Sequence, residues 1–199
     1  MNKIAIDLVL LPPQEIMDLI IDINKKAAKK CQARGPLAKD DFYPHISLAM
    51  GTIKEKDLLK VEKVVKKIAQ RYSSLNIELN QLKSILKKDG SKSYALSVKK
   101  TPTIQKMHEE LMKALLPFFS YDATVDELFK KEGEETKAPS HLNEFQEHSF
   151  SKYYPHVTLR CKEVEPIHLP INFKASVVAI CHTGTEGTCR KILWEKELK

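Results

Sequence analysis

The phrase Tyr43-Pro44-His45-Ile46-Ser47-Leu48 returns in the second half of the chain as Tyr154-Pro155-His156-Val157-Thr158-Leu159. A proline followed by alternating apolar and small polar residues predicts the opening of a β-strand. Successive side chains of a strand point to opposite faces. His45 and Ser47 therefore share one face, and His156 and Thr158 share one face. Ile46 and Leu48, like Val157 and Leu159, turn the other way into a core. Each copy presents an imidazole beside a hydroxyl.

The surroundings of the two copies also match. Residues 3–11 are apolar and β-branched and are stopped by Pro12-Pro13, which predicts a strand. Ile16, Leu19, Ile20, Ile23 and Ala27 follow helical spacing from Gln14, and Gly35-Pro36 ends that element. The first motif strand is expected over Phe42–Met50, closed by Gly51. A helix is expected over Glu55–Arg71. Strands are expected over Leu75–Leu82 and Ser93–Val98, around a turn at Asp89-Gly90. A second long helix is expected over Thr101–Phe119, with Pro102 in its first turn. Residues 120–149 are polar and carry no long period, so they read as an extended surface loop open to motion. The second motif strand follows over Tyr153–Cys161. Strands over Phe173–His182 and Arg190–Leu198 close the chain, joined by the turn Gly184-Thr185-Glu186-Gly187.

Ile4–Leu10 thus corresponds to Tyr94–Val98, the helix over 14–32 to that over 102–119, and motif to motif. The chain reads as an internal duplication within a single domain spanning 1–199, of two interleaved lobes with an insertion at about 120–149. Duplicated halves commonly pack about a pseudo-twofold axis. Such an axis brings His45 and His156 to opposite sides of one cleft.

With 199 residues, 42% of them hydrophobic and 30% charged, the composition is that of an ordinary globular domain. No run approaches the roughly 18 apolar residues of a membrane span. Asp7 interrupts the apolar N-terminal stretch, which reads as a strand and not a signal peptide, and the cytoplasm is the expected location. Cys31, Cys161, Cys181 and Cys189 form no C-x-x-C pair, so no metal or redox motif is expected. Cys181 and Cys189 face each other across a hairpin, and in a cytoplasmic chain are expected reduced and packed. The net charge of +7, with lysines grouped at Lys25, Lys26, Lys29 and Lys30, at Lys63, Lys66 and Lys67, and at Lys87 and Lys88, favours an anionic partner such as nucleic acid.

Two imidazoles and two hydroxyls suit the cleavage of a phosphodiester. One neutral histidine takes a proton from the nucleophile, and one protonated histidine gives a proton to the leaving oxygen. Ser47 and Thr158 hydrogen-bond the non-bridging phosphate oxygens. Imidazolium and hydroxyls together neutralise the charge, so no metal and no cofactor is expected. Arg160 continues the His156–Thr158 face and is placed to clamp a phosphate, whereas its counterpart in the first copy is Ala49. Tyr43 and Tyr154 share the histidine face and are candidates for stacking on a base. His182 ends a strand near the expected cleft. His108, between Ile104, Met107 and Leu111, reads as structural.

The pair His45-x-Ser47 and His156-x-Thr158, each after an aromatic residue and Pro and followed by Leu, resembles the two-histidine (2H) phosphoesterase superfamily. That group includes the 2′–5′ RNA ligase-like proteins and the 2′,3′-cyclic nucleotide phosphodiesterases. The resemblance implies an α+β, bilobal duplicated fold, two antiparallel sheets with flanking helices around a central cleft. It implies metal-independent attack on 2′,3′-cyclic phosphate or 2′–5′ phosphodiester bonds of RNA ends or nucleotides, with His45 and His156 catalytic and Ser47 and Thr158 binding phosphate. Arg160 resembles the arginine that ligase-like members carry after the second motif. The expected partner is an RNA or nucleotide substrate, handled by a monomer with no membrane association. RNA 2′–5′ ligation through the same site, or a non-catalytic RNA-binding module, are the alternatives.

Overall fold

The structure is a computed structural model that describes residues 2–28, 37–86, 92–160, 164 and 166–199. The expectations for Lys29, Lys30, Cys31, Gly35-Pro36, Lys87, Lys88, Asp89-Gly90 and Cys161 lie outside the described residues. In chain order the elements are β1 (Lys3–Leu11), α1 (Gln14–Ala28), β2 (Ile46–Lys54), α2 (Leu58–Ala69), β3 (Leu75–Leu86), β4 (Lys92–Val98), α3 (Pro102–Leu115), the single turn α4 (Ser140–Asn143), β5 (His156–Leu159), β6 (Ile171–Ala175), β7 (Val177–Thr183) and β8 (Cys189–Glu197).

The strands form two four-stranded antiparallel sheets, ordered β2-β1-β7-β8 and β5-β4-β3-β6. The unit β1-α1-β2 occupies the same places in the first sheet as β4-α3-β5 does in the second, so the duplication expected from the sequence is present in the topology. The strands β2 and β5, one from each sheet, lie against each other. Tyr153 Oη donates a 2.8 Å hydrogen bond to the carbonyl of Ser47 across that junction.

Alternation explains which face each strand buries. Ile6, Leu8 and Leu10 of β1 are fully buried with Ile46, Leu48, Val178 and Ile180 in the main core. Burying each such side chain is worth roughly 1.5–3 kcal/mol. Ile104, Met107, Leu111 and Leu115 bring one stripe of α3 to the same core. This helix starts where Thr101 Oγ1 accepts from the Ile104 N–H at 3.3 Å and Pro102 enters the first turn.

Several boundaries differ from the sequence expectation. Helix α3 stops at Leu115 and not Phe119, because Pro117 has no N–H to continue the ladder and the Phe118 and Phe119 N–H groups both turn to the Leu115 carbonyl. Strand β2 starts at Ile46 and passes through Gly51. A Cβ built there would lie 2.5 Å from Phe119 Cγ, so glycine is what lets that ring pack on the strand. A bulge between Leu8 and Val9 pairs Ala49 with Leu8 and Ser47 with Val9, which turns Ala49 into the core and off the His45 face. The run Phe173–His182 is not one strand. Ser176 separates β6, paired with β3, from β7, paired with β1, so the chain changes sheets there.

Residues 120–149 are not simply an extended surface loop. Ala123, Leu128 and Leu142 pack with Ala5 and Met50 in a second small core on the opposite face of the first sheet. The Ala5 N–H donates to Glu127 O at 2.9 Å, and the Phe129 N–H to Thr183 O at 2.9 Å. Cys181 and Cys189, expected as reduced and merely packed, are joined as a disulfide across the β7–β8 hairpin. Their register, with Thr183 opposite Cys189, brings the two side chains together. No helix among the described residues is long and apolar enough to cross a membrane.

Candidate active site at the junction of the two sheets

His45 immediately precedes β2, and His156 is the first residue of β5. Each ring is held the same way. His45 Nδ1 lies 2.7 Å from the carbonyl of Tyr43, and His156 Nδ1 lies 2.8 Å from the carbonyl of Tyr154. In both copies the intervening proline, Pro44 or Pro155, restricts the backbone that presents this carbonyl. A carbonyl only accepts, so Nδ1 carries the proton and Nε2 carries the lone pair. The repeated aromatic-Pro-His phrase therefore fixes one tautomer twice.

Burial pushes the His45 imidazole down to about 4, helped by the charge on His156 and opposed by the carbonyl of Tyr43 and the backbone of Gly187. His156 thus stands within electrostatic reach of His45. His156 is also lowered by burial, against the carbonyl of Tyr154. Both are thus neutral in the free protein near pH 7. The side chain of His45 keeps 12% exposure.

The two hydroxyls differ. Ser47 Oγ lies 2.6 Å from Asp7 Oδ2. Thr158 is exposed and faces Ala95 on β4. Asp7 on β1 is fully buried beneath the first motif, with Oδ2 3.5 Å from His45 Nε2. Sequence reasoning saw Asp7 only as an interruption of an apolar stretch. Its signal was a carboxylate in a strand that is apolar on both faces.

The other candidates separate. Arg160 places its guanidinium 4.5 Å from the centre of the Phe42 ring, and Arg190 lies 4.0 Å from the same ring. Arg190, missed in the sequence, has a 1% exposed side chain. It bonds Asp41 through Nε and Glu134 through Nη1 at 2.7 Å, tying the residue 120–149 segment to the loop before the first motif. Lys131 Nζ reaches the same Asp41 at 2.8 Å. Tyr43 packs against the Cys181–Cys189 side of the first sheet. Tyr154 is half exposed, its ring 5.2 Å from that of His156 and nearly parallel, with Lys83 Nζ 4.8 Å above it and its hydroxyl on Ser97. His182 Nε2 meets the carbonyl of Glu127 at 3.0 Å and its ring meets Phe129 edge-on, so it is engaged with the residue 120–149 segment. His108 is a structural pin: Nδ1 lies 2.6 Å from Leu48 O, Nε2 accepts from the Phe150 N–H at 2.8 Å, and the ring stacks on Tyr153 at 3.8 Å. Among the described residues no group of three or more His, Cys, Asp or Glu is arranged to hold a metal ion.

No family model and no curated protein sequence matches the chain. Solved structures do. The E. coli LigT structure complexed with 3′-AMP aligns over 100% of this chain and 99% of its own, with a TM-score of 0.59 at 17% identity. LigT complexed with ATP aligns with a TM-score of 0.60 at 16% identity over the same shares. TT0787 of Thermus thermophilus aligns over 98% of both chains with a TM-score of 0.61 at 13% identity. The chain has the LigT fold. Its two antiparallel sheets with flanking helices are the α+β architecture that the two-histidine resemblance implied. At this identity the LigT likeness carries the fold, and the chemistry rests on the residues just described.

Proposed function

We propose that the protein is a metal-independent phosphodiesterase that opens 2′,3′-cyclic phosphates or 2′–5′ phosphodiester bonds at RNA ends or in small nucleotides. The observation that carries this reading is the matched pair of imidazoles, each with Nδ1 committed to a backbone carbonyl and Nε2 left to react. His45, whose imidazole burial holds near 4, takes the proton of the attacking water. His156 enters protonated when the phosphate is bound and gives its proton to the leaving oxygen. Ser47 and Thr158 donate to the non-bridging oxygens. Each proton-transfer group contributes about 10²–10⁴ to the rate, and the hydroxyl donors add to it.

Arg160, just after the second motif, and the ring of Tyr154, which opens it, serve the flanking phosphate and base. The net charge of +7 supports an anionic substrate. LigT complexed with 3′-AMP and with ATP supports a nucleotide in this fold. The test is an assay in EDTA with 2′,3′-cyclic mononucleotides, cyclic-phosphate-ended RNA and 2′–5′ dinucleotides. Turnover of at least one of them, lost in His45→Ala and in His156→Ala, is expected. Turnover undiminished in either variant rejects the mechanism. Net joining of RNA ends would instead mark the reverse reaction as the physiological one, and binding without turnover an RNA-binding module.

A further inference from the structure

Asp7 is a buried titratable group that the mechanism above does not use. It sits on β1, opposite Met50 of β2 and Cys181 of β7, with no exposed surface. Oδ2 contacts Ser47 Oγ at 2.6 Å and stands 3.5 Å from His45 Nε2. Oδ1 is buried and has no hydrogen-bond partner. Among the described residues no lysine or arginine pairs with it. The titratable groups facing it are the His45 imidazole, from the segment before β2, and the Tyr153 phenol, within electrostatic reach from the segment before β5. Met50 does not titrate, and Cys181 is in a disulfide.

An ionised carboxylate in this place would bury a charge with one oxygen wholly unsatisfied, which is strongly unfavourable. It would also draw a proton onto His45 and lock Nε2 in an ion pair, removing the base. A carboxylic acid buries no charge, leaves only a neutral carbonyl oxygen unpartnered, and draws no proton onto His45. We propose that Asp7 is a positioning residue that works un-ionised: its O–H is donated to Ser47 Oγ, which turns the Ser47 hydroxyl proton toward the phosphate and leaves His45 Nε2 free. Burial, opposed by the Ser47 contact, indeed holds this carboxyl well above the usual carboxylate range. The second half has no such acid. Val9 pairs with Ser47 as Ala95 pairs with Thr158, so the place of Asp7 is taken by Ser93. The two hydroxyls are therefore unequal donors, one polarised from below and one in solvent.

The assignment of the phosphate end rests on the function proposed above, so the test has an arm that does not. In the whole chain, the His45 ring is titrated by NMR in the wild type and in Asp7→Asn, whose amide keeps a donor for Ser47 and no charge. With a neutral Asp7 the His45 midpoint moves by less than about half a pH unit; a fall of about one to three units, the effect of losing a nearby carboxylate, overturns the proposal. In kinetics, Asp7→Asn keeps kcat within about tenfold, whereas Asp7→Ala lowers it about hundredfold with KM little changed. Equal losses in the two variants, or none in Asp7→Ala, also overturn it. A wild type inactive on every phosphodiester tried, with His45 unmoved by Asp7→Asn, rejects the phosphodiesterase reading and leaves the neutral carboxyl standing.

Discussion

A histidine serves as base or acid at Nε2 only when Nδ1 is committed elsewhere, and here the carbonyl two residues back does that twice. Removing either ring should lower kcat by about 10²–10⁴, with circular dichroism unchanged. The depressed values of both rings also set a pH dependence. The working form has one imidazole protonated and one neutral. In the free protein the pair passes through that form below about pH 6.5 on the way up. The plot of kcat/KM should therefore already fall as pH rises from about 5 to about 7. A bound phosphate favours the imidazolium, so kcat should hold to higher pH. An alkaline limb of kcat/KM lying above about pH 7.5 would contradict the buried environment of both rings.

At the same scale, His108 gives a stability signature. It is lowered by burial and accepts the Phe150 N–H at Nε2. Its folded value lies below its unfolded one, so the unfolded chain binds the extra proton first. Stability is then complete above about pH 6.5 and declines as pH falls below it, by up to about 1.4 kcal/mol per pH unit. Urea midpoints at about pH 7.5 and about pH 5 measure this, and His108→Gln should flatten the slope. Alternation made the faces of His45, Ser47, His156 and Thr158 legible in the sequence. The partners of Asp7 and Arg190 were not, because both are set by strands and loops distant in sequence.

At the scale of elements, local signals did well where local chemistry decides. Pro12-Pro13 separates β1 from α1, and the apolar stripes of α1, α2 and α3 were visible as spacings, except that Leu19 of the α1 stripe is exposed and Ile21 is buried instead. They did poorly where a neighbour decides. Gly51 reads as a strand end, yet it lies inside β2 because Phe119 needs its missing side chain. Gly51→Ala should therefore cost about 1–3 kcal/mol by overpacking, read as a lower urea midpoint at unchanged slope. An unchanged midpoint would show that the ring can move aside. The polar composition of 120–149 hid Ala123, Leu128 and Leu142, each a lone apolar residue whose partner, Ala5 or Met50, belongs to the first sheet. Periodicity cannot report a residue that packs alone.

At the scale of the molecule, the duplication was legible because β1-α1-β2 and β4-α3-β5 repeat in order as well as in motif. The sheet change at Ser176 was not, since the sequence on either side reads as one unbroken strand. That change has a measurable effect. Ending the chain after Ala175 strips β1 of its neighbour on one side, including every hydrogen bond from β7. The shortened chain should lose cooperative unfolding and all turnover together, monitored by thermal circular dichroism and by assay. Retained cooperative unfolding would show that the remaining strands suffice.

The pairing of Asp7 with Cys181 spans nearly the whole chain. On the ribosome, β1 emerges early and then waits with one edge bare until β7 and β8 are synthesised. Its apolar row is a surface for chaperones during that interval, and long-range pairing of this kind is slow. The first motif therefore rests on an incomplete sheet until that hairpin has docked.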